Sequence, residues 1–235
     1  MNLLLFEEAD FISPDRVRIA GRRFRHIRDV HRALPGDELA VGVVGGRTGT
    51  GLLESSNEDS LVMTVRLDAD PPPKLALTVV LALPRPKVLA RVLADLTSLG
   101  VPRIVLLNAW RVEKAYWSSP ALEEEALLGA RMLGLEQARD TILPELRIER
   151  FFQPFVHGGL AAFAPHGPRY VAHPGSATPV PRDVAEPAVV AIGPEGGWIE
   201  RELESFRREG FGEISLGSRP LRVETAVTAL IARMF

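Results

Sequence analysis

The chain of 235 residues contains no cysteine, which excludes a disulfide framework and any metal site built on thiolates. Lysine is almost absent, three residues against 25 arginines, a bias that genome composition alone can impose. No apolar run approaches the about 20 residues needed to cross a bilayer, and Met1–Asp10 carries no signal-peptide pattern. A cytoplasmic address is the default expectation. No Gly-x-Gly-x-x-Gly turn follows the first apolar α/β strand, at Ala82–Lys87, which argues against a nucleotide-binding oxidoreductase. Charge of one sign is also lacking. The net −2 argues against indiscriminate nucleic-acid binding and leaves local patches open.

What remains is an ordinary globular composition, 46% hydrophobic and 25% charged, with room for one large domain or two modest ones. The first seventy residues read as short strands at Arg16–Ala20, Glu38–Val44, Gly49–Glu54 and Ser60–Leu67, separated by Gly or Asn-Glu-Asp turns and interrupted by one helix near Phe24–Arg32. A small β-barrel is expected. The stiff run Asp70-Pro-Pro-Pro-Lys74 is the expected boundary, giving domains over 1–70 and 74–235.

Beyond it strands and helices alternate. Leu75–Leu83 reads as a strand buried on both faces, and a helix from Pro86 places Leu89, Val92, Leu93 and Leu96 on one side before Gly100 stops it. Further strands are expected at Arg103–Leu107, Arg147–Phe151, Tyr170–Ala172, Ala188–Ile192 and Glu213–Leu216. A long helix is expected from the Ser119-Pro120 cap to Ala138, and a final one over about Glu224–Met234. This alternation predicts an α/β fold, a parallel sheet with helices on both faces and ligand-binding loops beyond the carboxyl ends of its strands.

Two of those ends carry unusual loops, Ala191-Ile-Gly-Pro-Glu-Gly-Gly-Trp198 and Leu216-Gly-Ser-Arg-Pro-Leu-Arg-Val-Glu-Thr-Ala226. In each, an apolar strand breaks into Gly and Pro and then feeds a helix. Unpaired amides at helix starts accept a polar ligand, and glycine lets the backbone come close to it. Upstream, the stretch from Arg16 to Arg32 holds seven arginines and two histidines against one acid, Asp29, a charge density suited to phosphates or to a solvated face. Trp110, Tyr116 and Trp117, beside Arg111 and Lys114, are either a base-stacking cluster or aromatics at a core edge.

The two loops resemble the signature of the SPOUT class of S-adenosylmethionine-dependent RNA methyltransferases and, within it, the RsmE family. Phe24-Arg-His-Ile-Arg-Asp-Val-His-Arg32 with Gly36-Asp37 is similar to that family's amino-terminal basic segment, and Leu135-Glu-Gln-Ala-Arg139 with Pro144 to its central Glu-Gln motif. The sequence departs from the family pattern at His31, Trp198, Pro220 and Val223, none of which removes a charged motif residue.

The resemblance implies a trefoil-knotted SPOUT domain preceded by a small PUA-like β-barrel. General connection rules exclude a knot, so that expectation comes from the resemblance alone. It also implies S-adenosylmethionine as methyl donor, no metal, 16S ribosomal RNA of the small ribosomal subunit as substrate, a uridine ring nitrogen (N3) as methyl acceptor, and a homodimer. Ribose 2′-oxygen methylation and a non-catalytic RNA-binding or assembly factor are the alternatives. His173, Gly193, Pro194, Glu195, Gly196, Gly197, Leu216, Gly217, Ser218, Leu221, Arg222 and Thr225 are the implied cofactor contacts. Arg222 is the implied electrostatic catalyst and Glu224 the positioning group or proton acceptor, with Arg219 beside them. The residues by themselves also allow Glu224 as a dipole-favoured first-turn carboxylate, Arg219 in a surface ion pair and Glu195 as a cap of the following helix. Arg22, Arg25, His26, Arg32 and Arg139 are the implied RNA contacts.

Overall fold

The computed structural model describes residues 2–164 and 166–235, with the side chains of Arg22, His26, Val30 and His31 outside the description. By internal contacts the chain forms two compact units, Met1–Pro73 with Leu135–Leu143, and Lys74–Gly134 with Pro144–Phe235.

In the first unit, β1 (Leu4–Phe6), β2 (Phe11–Ser13) and β3 (Arg16–Ala20) are followed by helix α1 (Gly21–His26), which runs into a π-helical turn, Ile27–His31. Three longer strands complete it: β4 (Glu38–Val43), β5 (Thr48–Ser56) and β6 (Ser60–Ala69). The sheet order is β1-β4-β5-β6-β3-β2, antiparallel except for the β1–β4 pair. β1 and β2 are the two edges, yet only Glu7–Asp10 joins them. A flat six-stranded sheet would hold its edges about 24 Å apart, whereas the rings of Phe6 and Phe11 pack edge-on at 6.5 Å. The sheet therefore curls into a barrel.

Alternation along β3 turns Val17 and Ile19 into its core and leaves Arg16 and Arg18 outside. Phe24 and Ile27 close the core from the helix. β1 and β2 were not foreseen, because three residues are too few to show a period.

The segment Leu135–Leu143 is built into this unit. Thr141 accepts from the Gly45 amide at 2.8 Å through its carbonyl and donates its hydroxyl to the Gly46 carbonyl. Asn2 donates to the Gln137 carbonyl at 2.9 Å. The sequence expectation had drawn a single boundary at the Pro run.

The second unit begins with β7 (Leu77–Ala82), α2 (Pro86–Ser98) and β8 (Arg103–Leu107). Helix α3 (Glu124–Ala138) starts five residues later than the Ser119-Pro120 signal suggested. Ser119 instead caps a separate 3-10 turn, Pro120–Leu122, through the Ala121 amide. β9 (Glu145–Glu149) precedes two short turns, α4 (Phe152–Pro154) and α5 (Leu160–Phe163), joined by the π-helical stretch Phe155–Gly159. β10 (Arg169–Ala172), β11 (Ala188–Ile192), α6 (Glu200–Arg208), β12 (Phe211–Ile214) and α7 (Val223–Met234) finish the unit.

All six strands are parallel, in the order β12-β10-β11-β7-β8-β9. Every residue of β7 and β11 is buried, so both faces of the sheet centre are covered. The chain order reverses between β7 and β11, which leaves a crevice at the carboxyl ends beside that switch. Behind it Phe206 is fully buried, its ring 5.0 Å from Trp198, 5.3 Å from Phe152 and 4.9 Å from Phe211. Among the described residues no helix is long and apolar enough to cross a membrane.

Candidate functional site

Three loops leave the carboxyl ends of β10, β11 and β12 and enclose a cleft of about 320 Å³. The loop after β10 contributes His173 and Pro174. The His173 amide donates to the Ile214 carbonyl at 2.9 Å, which ties this loop to the end of β12. Ser215 then pairs with the same loop, donating to Thr178 at 2.8 Å and accepting from Val180 at 3.2 Å.

The loop after β11 is a tight turn closed by the Gly197 amide on the Pro194 carbonyl at 2.8 Å, and Gly197 has φ +73°. A side chain on Gly193 would place its Cβ 3.2 Å from the indole nitrogen of Trp198, so glycine keeps that wall open. After β12, Gly217 turns the chain at φ +113°, and its amide donates to the Ser215 hydroxyl at 3.0 Å.

Of the cofactor residues expected from the sequence, His173, Gly193, Pro194, Glu195, Gly196, Gly197, Leu216, Gly217 and Leu221 line this cleft. Ser218, Arg222 and Thr225 are exposed and do not line it. Arg219 lines it. Arg222 precedes the first turn of α7 and Glu224 lies within that turn, both outside the lining. Glu224 faces Asp95 of α2. Burial, first of all, and the charge of Glu224 push the Asp95 carboxyl above its ordinary range, against the pull of Arg91.

Glu195 does not cap α6. It accepts from the Arg85 amide at 3.2 Å and pairs with the Arg85 guanidinium at 3.7 Å, so it caps α2 across the sheet. The α6 start is held by Glu202, a buried carboxylate that accepts from the Ile199 amide at 3.0 Å.

Arg111 and Trp198 are among the lining residues that escaped the sequence reading of the site. Arg111, four residues past β8 and the next residue after Ala109-Trp110, donates to the Gly196 carbonyl. Its position just beyond a strand's carboxyl end was the available signal. Trp198 is 4% exposed, and its indole N–H has no acceptor among the described residues. A buried donor of this kind is costly without a partner, and it belongs to a residue of the cleft wall.

The cleft therefore combines close-approach glycines, apolar walls from Ile192, Ile214, Leu216 and Leu221, and the arginines Arg111 and Arg219. Such a site takes a small ligand with an apolar or aromatic body and polar ends.

The expected RNA contacts lie in the first unit. Arg25, Arg32 and Arg139 are exposed there, and Arg139 belongs to it because Leu135–Leu143 does. Arg32 (φ 52°) and Arg139 (φ 55°) both adopt the left-handed conformation. Arg139 directly follows α3, where the Asp140 amide reaches back to the Leu135 carbonyl at 3.1 Å. The side chains of Arg22 and His26 lie outside those described. Within the basic stretch, Arg23 is committed to Asp10 through two hydrogen bonds of 2.6 and 2.7 Å.

A parallel α/β sheet with a cleft at the carboxyl ends of its strands defines the class, and comparison with known proteins supplies the family. The sequence model of the RNA methyltransferase domain matches residues 71–235, and the chain belongs to that family. The chain is similar to the ribosomal RNA small subunit methyltransferase E of Treponema pallidum, at 29% identity over 238 residues, 99% of this chain and 90% of that one. Two solved structures share its architecture. The ribosomal RNA small subunit methyltransferase E of Neisseria gonorrhoeae, bound to S-adenosyl methionine, superposes with a TM-score of 0.75 at 20% identity, over 98% of this chain and 95% of that one. A methyltransferase of Legionella pneumophila in complex with the same cofactor gives 0.76 at 22% identity, over the same shares. At these identities the structures show the fold, which is the SPOUT-type arrangement behind an amino-terminal β-barrel.

Proposed function

We propose that this protein is an S-adenosylmethionine-dependent methyltransferase of small-subunit ribosomal RNA that acts on the N3 ring nitrogen of a uridine in 16S RNA. The cleft at the ends of β10, β11 and β12 carries this reading, because its glycines and apolar walls suit that donor. Relatives are named as small-subunit ribosomal RNA methyltransferases, and two structures of the same fold hold the cofactor.

When bound, S-adenosylmethionine supplies an activated methyl group that leaves sulfur with its electron pair staying behind. The residues of this chain do the positioning. Leu216 and Leu221 would flank the adenine, and the amides around Gly193–Gly197 and Gly217 would take the polar groups of the donor. His173 adds the third wall. The uracil N3 proton passes to solvent water as the N–C bond forms, since the one carboxylate of the lining, Glu195, is paired with Arg85. A guanidinium beside the ring stabilises the developing anion. Arg219, on the cleft wall, is placed for this, with Arg222 on the rim. Ser218, Glu224 and Thr225 lie outside the lining, Ser218 in the loop and the other two in the first turn of α7, as supports of the loop.

Arg25, Arg32 and Arg139, together with Arg22 and His26, hold RNA phosphates in this reading, with the first unit as an RNA-binding domain and the second as the catalytic one. A homodimer and a cytoplasmic setting belong to the same proposal.

The test is methyl transfer from labelled S-adenosylmethionine to small ribosomal subunits from a strain lacking the gene, with the product nucleoside identified by mass spectrometry. 3-Methyluridine is expected. A ribose-methylated nucleoside would overturn the acceptor chemistry while keeping the cofactor.

A further inference from the structure

A second cleft, of about 850 Å³, lies in the same unit and is absorbed by nothing above. Its walls come from the loop after β8 (Asn108, Trp110, Lys114, Trp117), from Arg150 just past β9, and from Arg201 in the first turn of α6. Trp110 is 78% exposed, which is unusual for the largest apolar side chain unless something covers it. Trp117 is fixed, its indole N–H donating to Asn108 Oδ1 at 2.9 Å, with the Arg150 guanidinium 5.1 Å from its ring centroid.

Lys114, Arg150 and Arg201 have no carboxylate partner among the described residues. The one acid of the cleft, Glu202, is buried and committed to the Trp110 and Ile199 amides. The remaining polar lining group, Gln153, is engaged with Ser205 and His157. The cleft thus presents aromatic faces among unneutralised cations.

Its position relative to the first cleft is set by alternating neighbours. Arg111 lines the donor cleft while Trp110 and Val112 line this one. Trp198 lines the donor cleft while Ile199 lines this one. The two clefts therefore share a wall about one residue thick.

We propose that this second cleft seats a nucleotide of the RNA strand that flanks the methylated one. Its base stacks on Trp110, and its phosphates pair with Lys114, Arg150 and Arg201. Stacking on an aromatic face with cations tracking the backbone is how single-stranded nucleic acid is held without base reading. The inference rests on the reading of the protein as an RNA methyltransferase and adds the site that positions the strand beside the methyl donor.

Tryptophan fluorescence and transfer kinetics test it together. Titration with a single-stranded decauridylate quenches the wild-type emission. Trp110→Ala removes most of that quenching, and Trp110→Phe retains the affinity. In methyl transfer to small subunits, Trp110→Ala raises KM for RNA about tenfold, the scale of one base–aromatic stack, while the calorimetric affinity for S-adenosylmethionine is unchanged. Arg150→Ala with Arg201→Ala flattens the salt dependence of decauridylate binding. Quenching that persists in Trp110→Ala, or a KM equal to wild type, overturns the proposal. A wild-type protein that transfers no methyl group would instead refute the function, and the decauridylate titration would still judge the cleft.

Discussion

Glu202 Oε1 accepts a hydrogen bond from the backbone N–H of Trp110 at 2.7 Å, joining residues 92 positions apart. Its other oxygen holds the Ile199 amide at 3.0 Å. One buried carboxylate therefore pins both strips of chain that separate the two clefts. Glu202→Ala strands two amides away from water, at about 1–3 kcal/mol for each lost partner. Urea unfolding should show a clear loss of stability, smaller in Glu202→Gln, which keeps an acceptor. Methyl transfer should fall in step, since the wall loosens.

Gly193→Ala tests the donor cleft without touching a charge. The new Cβ meets the Trp198 indole 3.2 Å away, beside a ring held by Phe206 and Phe152. The ring has little room to retreat, so the wall moves inward. Calorimetry should show S-adenosylmethionine binding weakened by tenfold or more, with thermal stability changed far less. Unaltered affinity would place the cofactor elsewhere.

Asp95 gives a pH test. Its carboxyl titrates above the ordinary range because it is buried and faces Glu224, so the folded state binds that proton more tightly than the unfolded chain does. A raised carboxyl lowers stability as pH rises from the unfolded value, about 3.9, through the folded one. The loss is complete above the folded value. Asp95→Asn should therefore be more stable than wild type at pH 7, and the gain should vanish near pH 3. Thermal midpoints at the two pH values measure it.

The basic stretch of the first unit divides in the same experimental terms. Arg23 is half-buried and clamped by Asp10, and that hydrogen-bonded pairing raises its pKa. Arg23→Ala leaves the Asp10 carboxylate unpaired and should lower stability by about 1–3 kcal/mol. Arg25 is exposed and forms no ion pair among the described residues. Arg25→Ala should leave stability within about 0.5 kcal/mol while weakening RNA binding and its salt dependence. Filter binding across a salt series, beside urea melts, separates the two.

The fold was legible where periodicity was long. The continuous apolar run of β7, the one-sided face of α2 and the strand Ala188–Ile192 stand where their residues predicted. So does the cleft, because glycine-broken strand ends in a parallel sheet converge at a switch point. What could not be read was long-range pairing. Glu195 read equally as a ligand contact or a cap for the helix that follows it, yet its carboxylate holds the amide of Arg85 at the start of α2, 110 residues earlier. Glu202 carried no signal in the sequence, and its two contacts, to the Trp110 and Ile199 amides, become visible only in the fold. Arg111 carried no motif, and only the sheet order brings it to Gly196. Arg222 and Glu224 were recognised through sequence resemblance, while the cleft wall itself displays Arg219.

Synthesis runs from the amino end, and the first unit is not contiguous. Its barrel residues are all translated by Pro73, but the piece that pairs with the Gly45 and Gly46 backbone is Thr141. Until residue 143 has left the ribosome, a nascent barrel must wait with those backbone groups satisfied only by water. Two of the six strands of the catalytic sheet, β7 and β8, are translated during that wait. Maturation of the two units is thus interleaved in time, and a fragment cut at the proline run would carry an unfinished barrel.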